Sequence, residues 1–115
     1  MNVVGVDVGA TKIAAGAVSP AGKLLNGTRY PTAYSADELL ETIARAILEV
    51  GDGLGVGGAC VAVPGLVLSR EDKVVYSPNL HAIEGIRLKD ELEARVGLPL
   101  TIENDNNAAA WGEFR

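Results

Sequence analysis

The spacing of apolar residues changes once early in this chain, and that change limits the folds it can adopt. The first third has the period of two that is typical of β-strands, in segments 2–8, 12–19 and 23–32 separated by short glycine-containing turns. From Ser35 the period becomes that of a helix, and Gly51 is a natural stop. The sequence therefore predicts a three-stranded meander followed by a long amphipathic helix.

The predicted helix has clear signals at its start and along its faces. Ser35 and Glu38 have the spacing of a capping box. The residues expected on its buried side are Leu39, Leu40, Ile43, Ile47 and Leu48. The residues spaced for favourable charge pairs are Glu41, Arg45 and Glu49. This helix is expected to pack one apolar face on the sheet.

The second half alternates strands with shorter helical segments. It predicts a buried strand from position 56 that runs into a turn at Pro64 and Gly65, a strand at 73–77, a helix at 88–97, a strand at 98–104 and a last helix from about Asp105. The helix at 88–97 should turn three residues inward and end at a glycine: Leu88, Leu92, Val96 and Gly97. This order fits one α/β sheet with an antiparallel edge, and ligands bind such sheets at the carboxyl ends of their parallel strands.

Composition narrows the class of protein. With 115 residues and 48% hydrophobic character, the chain can bury the core of about one domain. A net charge of −5 disfavours nonspecific attraction to nucleic acid or to an anionic membrane. Cys60 has no second cysteine to pair with and is expected to be a small core residue. With no apolar run long enough to span a membrane and no leader pattern, we expect a soluble, cytoplasmic protein.

The stretch "DVGATK" at positions 7–12 can bind phosphate. Backbone N–H groups in a tight turn, helped by Thr11 and Lys12, can hold phosphate oxygens, while Asp7 can hold Mg²⁺ directly or through water. It is not a Walker P-loop, because the required glycine–lysine spacing is missing. The alternative is an ordinary hairpin turn with a solvated lysine, and the local sequence leaves both interpretations open.

The stretch "ENDNN" at positions 103–107 concentrates two carboxylates and three amides. Asp105 could simply cap the N-terminus of the following helix. A cap, however, needs only one short acceptor, and several directional donors and acceptors suit a ligand with many hydroxyl groups. In the second interpretation Asp105 is the base that takes a proton from the attacking hydroxyl of a polyol.

Four ordered stretches, "GVDVGATKIAAGAVSPAGKLL", "VPGLV", "SPNL" and "ENDNNAAAWGE", resemble the ROK family of sugar kinases over essentially the whole chain. The resemblance implies a ribonuclease H-like fold, as in actin, hexokinase and the Hsp70 ATPase, with a mixed five-stranded sheet and flanking helices. It also implies ATP, Mg²⁺ and a hexose as ligands, most simply glucose phosphorylated at its 6-hydroxyl.

Carried over position by position, the resemblance assigns two groups of site residues. The first phosphate-binding segment would comprise Asp7, Gly9, Thr11 and Lys12. The sugar-binding residues would be Gly65, Asn79, Asn104 and Asp105. Asp105 would be the catalytic base and Asp7 would interact with the metal. Ile83 stands where glucokinase-like members commonly have an aromatic residue, which leaves the preferred sugar open.

The resemblance also implies a second lobe. Residues 1–115 would be the N-terminal lobe, inactive alone, while the adenosine site, a sugar-binding histidine and a structural zinc motif would belong to the other lobe. His81 stands in a different motif and is not expected to replace that histidine. We expect a homo-oligomer that binds sugar and ATP but neither nucleic acid nor membrane. The alternatives are a sugar-sensing ROK regulator, whose DNA-binding segment would precede the first strand, and a non-catalytic sugar-binding lobe.

Overall fold

The structure is a computed structural model that describes residues 1–33, 35–64, 66–68, 73–76 and 86–104. It contains seven strands and two helices within these ranges. The strands are β1 (Asn2–Val8), β2 (Lys12–Val18), β3 (Leu24–Pro31), β4 (Val56–Val63), β5 (Leu66–Leu68), β6 (Lys73–Tyr76) and β7 (Leu100–Asn104). The helices are α1 (Ala36–Gly51) and α2 (Leu88–Val96).

Five strands form one mixed sheet in the order β3-β2-β1-β4-β7. β1, β2 and β3 form the predicted antiparallel meander, while β4 and β7 continue the sheet parallel to β1. This arrangement confirms the predicted mixed five-stranded sheet with flanking helices. Because β1, β4 and β7 run in the same direction, their carboxyl ends lie on the same side of the sheet.

One face of this sheet forms the core with the helices. Along β1 the residues Val4, Val6 and Val8 are buried and alternate with exposed positions, because successive side chains of a strand point to opposite faces. The register aligns Val6 with Val61 of β4, and Val61 with Ile102 of β7. This face, which we call the helix-covered face, is therefore lined by branched apolar side chains.

α1 begins and ends where the sequence predicted, but one of its residues is on the wrong side. The Ser35 hydroxyl accepts a hydrogen bond from the Glu38 amide at 3.3 Å, and the helix ends at Gly51. Leu39, Leu40, Ile43 and Ile47 are buried as predicted. Leu48, also predicted to be buried, is instead 50% exposed. It follows Leu39 by nine residues, which at about 100° per residue turns it about 180° away from the core.

Two of the charged residues of α1, Glu41 and Glu49, form contacts with other elements that the predicted pairs within the helix did not include. Glu41 accepts a hydrogen bond from Arg95 of α2, with Nε and Oε1 3.0 Å apart. Glu49 accepts a hydrogen bond from the Tyr30 hydroxyl of β3. Arg45 acts on Glu49 through its charge, as one cause of the lowered pKa of that carboxyl. The contacts of Glu41 with α2 and of Glu49 with β3 join α1 to its neighbours, and the spacing of charges within one helix could not predict them.

α2 matches its prediction. Leu88, Leu92 and Val96 are buried, and Gly97 takes a left-handed φ of 69° that a residue without Cβ adopts readily. The Gly97 amide donates to the carbonyl oxygen of Glu93 at 2.9 Å, which closes the helix. Among the described residues, neither helix is long and apolar enough to cross a membrane.

One expectation about the middle of the chain was incomplete and one was wrong. β4 ends at Val63, directly before the predicted turn at Pro64, but Leu66–Leu68 form a further strand, β5, that pairs with β6 in a separate two-stranded sheet and was not predicted. Cys60 is half-buried rather than part of the core. It lies between Gly5 and Thr101 in the strand register, on the face of the sheet opposite the helices.

Candidate active site

The candidate site lies at the carboxyl end of the sheet, which we define by the last residues of its parallel strands: Val8, Val63 and Asn104. Val63 pairs with Asn104, and one residue earlier Asp7 pairs with Ala62. The segments that follow these strands therefore start from neighbouring positions. The turn after β1 and the last residue of β7 therefore lie at the same end of the sheet, with β4 between them.

The turn from Gly9 to Lys12 connects β1 to β2 as a tight hairpin. The Gly9 amide donates to the Lys12 carbonyl oxygen at 2.9 Å. A Cβ atom on Gly9 would stand 3.0 Å from the same oxygen, closer than about nine in ten such contacts, so the backbone would have to move by a few tenths of an ångström. The close approach of the two backbone segments, rather than an unusual φ, therefore favours glycine here.

Thr32, just beyond β3, holds this turn from the outside. Its hydroxyl Oγ1 donates to the Gly9 carbonyl oxygen at 2.8 Å, and its amide donates to the Thr11 carbonyl oxygen at 3.1 Å. At 6% exposure, Thr32 is the one buried polar side chain among the residues whose burial the structure describes. The turn is thus fixed by hydrogen bonds to a neighbouring strand end as well as within the hairpin.

Several donors of the turn remain available to a ligand. Within the described ranges, the amides of Ala10 and Thr11 have no hydrogen-bond partner. The side chains of Thr11 and Lys12 are exposed. Successive amides with a hydroxyl and an ammonium group beside them can bind the oxygens of a phosphate. The turn therefore has donors that could bind an anion, and its role in phosphate binding remains a prediction.

Asp7 lies on the face of the sheet opposite the helices, between the buried residues Val6 and Val8. The register places Ala62 beside Asp7 and Glu103 beside Ala62, so the Asp7 and Glu103 Cα atoms are about two strand spacings apart, roughly 9.6 Å. No group of three or more His, Cys, Asp or Glu side chains in the described part of the chain could hold a metal ion. Mg²⁺ commonly uses one or two carboxylates together with substrate phosphates and water, which suits Asp7.

The second group of predicted residues is described only in part. Asn104 is the last residue of β7, is partly exposed and is paired with Val63. The predictions for Gly65, Asn79 and Asp105 lie outside the described residues, as do those for His81 and the last helix. The roles assigned to all these residues remain predictions.

Two residues that the structure associates with this region, Thr32 and Glu103, were not predicted to be part of it. Thr32 was assigned only to the end of a strand, and its contacts to Gly9 and Thr11 depend on how β3 pairs with β2. Glu103 was noted beside Asp105, but its alignment with Asp7 depends on the strand order. For Thr32, its position directly after the strand-ending Pro31 was a weak local signal of a special role. For Glu103, no local signal indicated its alignment with Asp7.

The sequence profile of the ROK family matches residues 3–115. The chain belongs to the ROK family. Solved structures similar to the chain include ROK sugar kinases, which have the actin/hexokinase-like fold, and this confirms the predicted fold class. For this ROK chain the hairpin turn and the end of β7 are thus parts of a known architecture.

Named relatives of the ROK chain are sugar kinases. It is 41% identical over 116 residues to a glucokinase from Streptomyces coelicolor. That match covers 97% of this chain and 35% of the glucokinase. It is 32% identical to an N-acetyl-D-glucosamine kinase from Salmonella gallinarum, over 95% of this chain and 36% of that protein. The ROK chain therefore spans about a third of the length of the curated relatives it matches.

A solved structure extends the similarity to three dimensions. The ROK family glucokinase from Streptomyces griseus, in complex with glucose and AMPPNP, superposes with a TM-score of 0.94 at 38% sequence identity. The match covers 100% of the ROK chain and 36% of that protein. That neighbour binds a hexose together with an analogue of ATP.

Proposed function

We propose that the protein carrying this chain transfers the γ-phosphoryl group of ATP to a hexose, with glucose at its 6-hydroxyl as the first candidate. The observation that carries the proposal is the similarity of the whole chain to a glucokinase that holds glucose and AMPPNP. Residues 1–115 would form the N-terminal lobe, and the remaining two thirds of a typical relative would supply the other side of the cleft.

The hairpin turn supports the phosphate end of this proposal. Its amides and the exposed side chains of Thr11 and Lys12 would stabilise charge on the phosphate oxygens while the phosphoryl group moves. Gly9 would let the two arms of the turn approach closely enough to present those amides. Asp7 would bind Mg²⁺, which neutralises part of the phosphate charge when it is bound.

The end of β7 supports the sugar end. Asn104 lies at the carboxyl end of the sheet, and Asp105 is the next residue, so their Cα atoms are about 3.8 Å apart by covalent geometry. Asn79, Asn104 and the Gly65 backbone would orient the hydroxyl groups of the sugar. Asp105 would accept the proton of the 6-hydroxyl while its oxygen bonds to the γ-phosphorus and the bond to the ADP oxygen breaks.

The division into lobes predicts that residues 1–115 alone do not turn over substrate. A kinase site between two lobes excludes water and aligns its reactants when the lobes close. A single lobe offers only part of the contacts, so we expect weak sugar binding at most. A homo-oligomeric state and a zinc site in the second lobe remain predictions from the family resemblance.

The test is a coupled assay of ADP release by the full-length protein with Mg²⁺, ATP and a panel of hexoses, run beside residues 1–115. The panel contains glucose, mannose, fructose, allose and N-acetylglucosamine. We expect the highest kcat/KM with glucose and no turnover by the lobe alone. If no sugar is phosphorylated the proposal is wrong, and binding of one sugar without turnover would favour the sugar-sensing regulator.

A further inference from the structure

Thr32 forms the contacts of a residue that sets the shape of the hairpin turn. Its hydroxyl and its amide both donate to carbonyl oxygens of that turn, at 2.8 Å to Gly9 and 3.1 Å to Thr11. It is 6% exposed, so water competes poorly for these bonds. Any residue at position 32 could supply the amide bond to Thr11, because it comes from the backbone, whereas the bond to Gly9 requires a side chain with a hydroxyl group.

Fixing these carbonyls also fixes the amides of the turn. In a planar trans peptide the C=O and N–H groups point in opposite directions. The Gly9 carbonyl shares its peptide unit with the Ala10 amide, and the Thr11 carbonyl shares its unit with the Lys12 amide. Because both carbonyls point toward Thr32, the Ala10 and Lys12 amides are directed away from it.

We propose that Thr32 is a positioning residue for nucleotide binding: its hydroxyl orients the Gly9–Ala10 peptide so that the Ala10 amide faces the phosphate groups. This inference rests on the proposed kinase function, and Thr32 itself touches neither substrate nor phosphate. Its effect is specific to the nucleotide, since its side-chain bond goes to the turn after β1 and not to the end of β7.

The variant Thr32→Val tests the hydroxyl alone. Valine has nearly the shape of threonine, and the amide of residue 32 can still donate to Thr11. In the full-length protein we expect KM for ATP to rise about 3- to 10-fold, the usual effect of one lost hydrogen bond. We expect KM for glucose to stay within about 2-fold, and Thr32→Ser to restore the parent value because it keeps the donor.

A matched control is available in α1. The Thr42 hydroxyl also donates to a backbone carbonyl oxygen, that of Glu38 at 2.7 Å, but far along the chain from the turn. Thr42→Val therefore makes the same chemical change without touching Gly9, and KM for ATP should not change. A purely structural role for Thr32 would lower the fraction of active enzyme, and thus kcat, without this selective rise in KM.

Calorimetric titration with ADP gives a readout that does not need turnover. We expect the Kd for ADP to rise in Thr32→Val by about the same 3- to 10-fold factor and to recover in Thr32→Ser. Should the valine variant fail to fold, Thr32→Cys replaces it, because a thiol is a weak donor of nearly serine size, and an intermediate rise is expected.

The outcomes separate this inference from the proposed function. A parent protein that phosphorylates glucose while Thr32→Val keeps the parent KM and the parent Kd for ADP would overturn the role of Thr32. A parent protein that binds ADP but phosphorylates no hexose would overturn the proposed kinase and leave the titration to decide on Thr32. A parent protein that does neither would overturn both.

Discussion

The helix-covered face and the carboxyl end of the sheet are built from the same strands but from different kinds of residue. In β1, Val6 and Val8 are buried against the helices, while Asp7 between them lies on the other face and precedes the hairpin turn. In β7, Ile102 is buried and Glu103 is exposed. Because the residues alternate, stability and proposed chemistry are assigned to neighbours in the chain that should respond differently to substitution.

The comparison also explains why the carboxyl end can carry polar groups. The helix-covered face excludes water with valine, leucine and isoleucine, which stabilises the sheet by burying apolar surface. The strands then present the hairpin turn and Asn104 at their ends at little cost, since these polar residues remain at least partly exposed. Function should therefore be lost at the carboxyl end without loss of stability, and stability at the covered face without a specific loss of substrate binding.

The largest expected effect is at Asp105. Asp105→Asn removes the proposed base and keeps the size of the side chain, so we expect kcat of the full-length protein to fall by about 10² to 10⁴. Steady-state assays of ADP release with glucose measure this fall in kcat. Asp52→Asn at the exposed end of α1 is the matched control and should keep the parent kcat. A variant with parent kcat would mean that Asp105 only caps a helix.

The next effect concerns the helix-covered face. Ile43 is 0% exposed, so Ile43→Ala should lower the free energy of unfolding by about 2–5 kcal/mol, through lost burial and the cavity that remains. Leu48→Ala on the same helix removes a side chain that is 50% exposed and should cost much less. Urea unfolding measures both values.

The same pair of variants tests whether the two regions are separable. In the folded protein, Ile43→Ala should keep the parent KM for ATP and for glucose, because Ile43 is a core residue of α1 and belongs neither to the hairpin turn nor to β7. A specific rise in either KM, with the unfolding free energy unchanged, would contradict the separation of the covered face from the carboxyl end.

The sequence predicted the local elements of both regions well, since each depends on a pattern within a few residues. The cap at Ser35, the buried face of α2 and the glycine at position 97 are all local signals. Leu48 was misplaced because a five-residue apolar cluster was assigned to one face without following the rotation of the helix. The end of β4 before Pro64 was also a local signal, whereas the pairing of β5 with β6 was not predicted because it depends on contact between separate segments.

The residues of the candidate site could be predicted from the sequence, but the contacts that hold the hairpin turn in place could not. Asp7, Gly9, Thr11 and Lys12 are adjacent, so their motif can be recognised from sequence. Thr32 is 23 residues from Gly9, and its bond exists because β3 pairs with β2 in one particular register. Contacts of this kind follow from tertiary structure, and no pattern within a short segment of one sequence specifies them.

The smallest expected effect is at the contact between β3 and α1, at the border of the helix-covered face, where Tyr30 pairs with the buried Ile13. The hydrogen bond from Tyr30 is the main cause that holds the pKa of the Glu49 carboxyl below its usual value, and the same bond raises the pKa of the Tyr30 hydroxyl. Glu49 is exposed and Tyr30 is half-buried, and phenylalanine keeps the apolar ring of Tyr30, so Tyr30→Phe should lower Tm by less than Ile43→Ala does.

The pH dependence of the Tm difference between the parent protein and Tyr30→Phe gives a sharper test of this contact. A lowered carboxyl pKa contributes stability above its unfolded value, near 4.5, and the contribution is lost as pH falls through the folded value. A raised tyrosine pKa contributes stability below its unfolded value, near 10.0, and the contribution is lost as pH rises through the folded value. The Tm difference between the parent and Tyr30→Phe should therefore be constant at neutral pH and shrink at both extremes. Glu49→Gln, which keeps an acceptor oxygen but does not titrate, should abolish the acid decline, and a difference that is flat at all pH values would show that the two groups do not interact in solution.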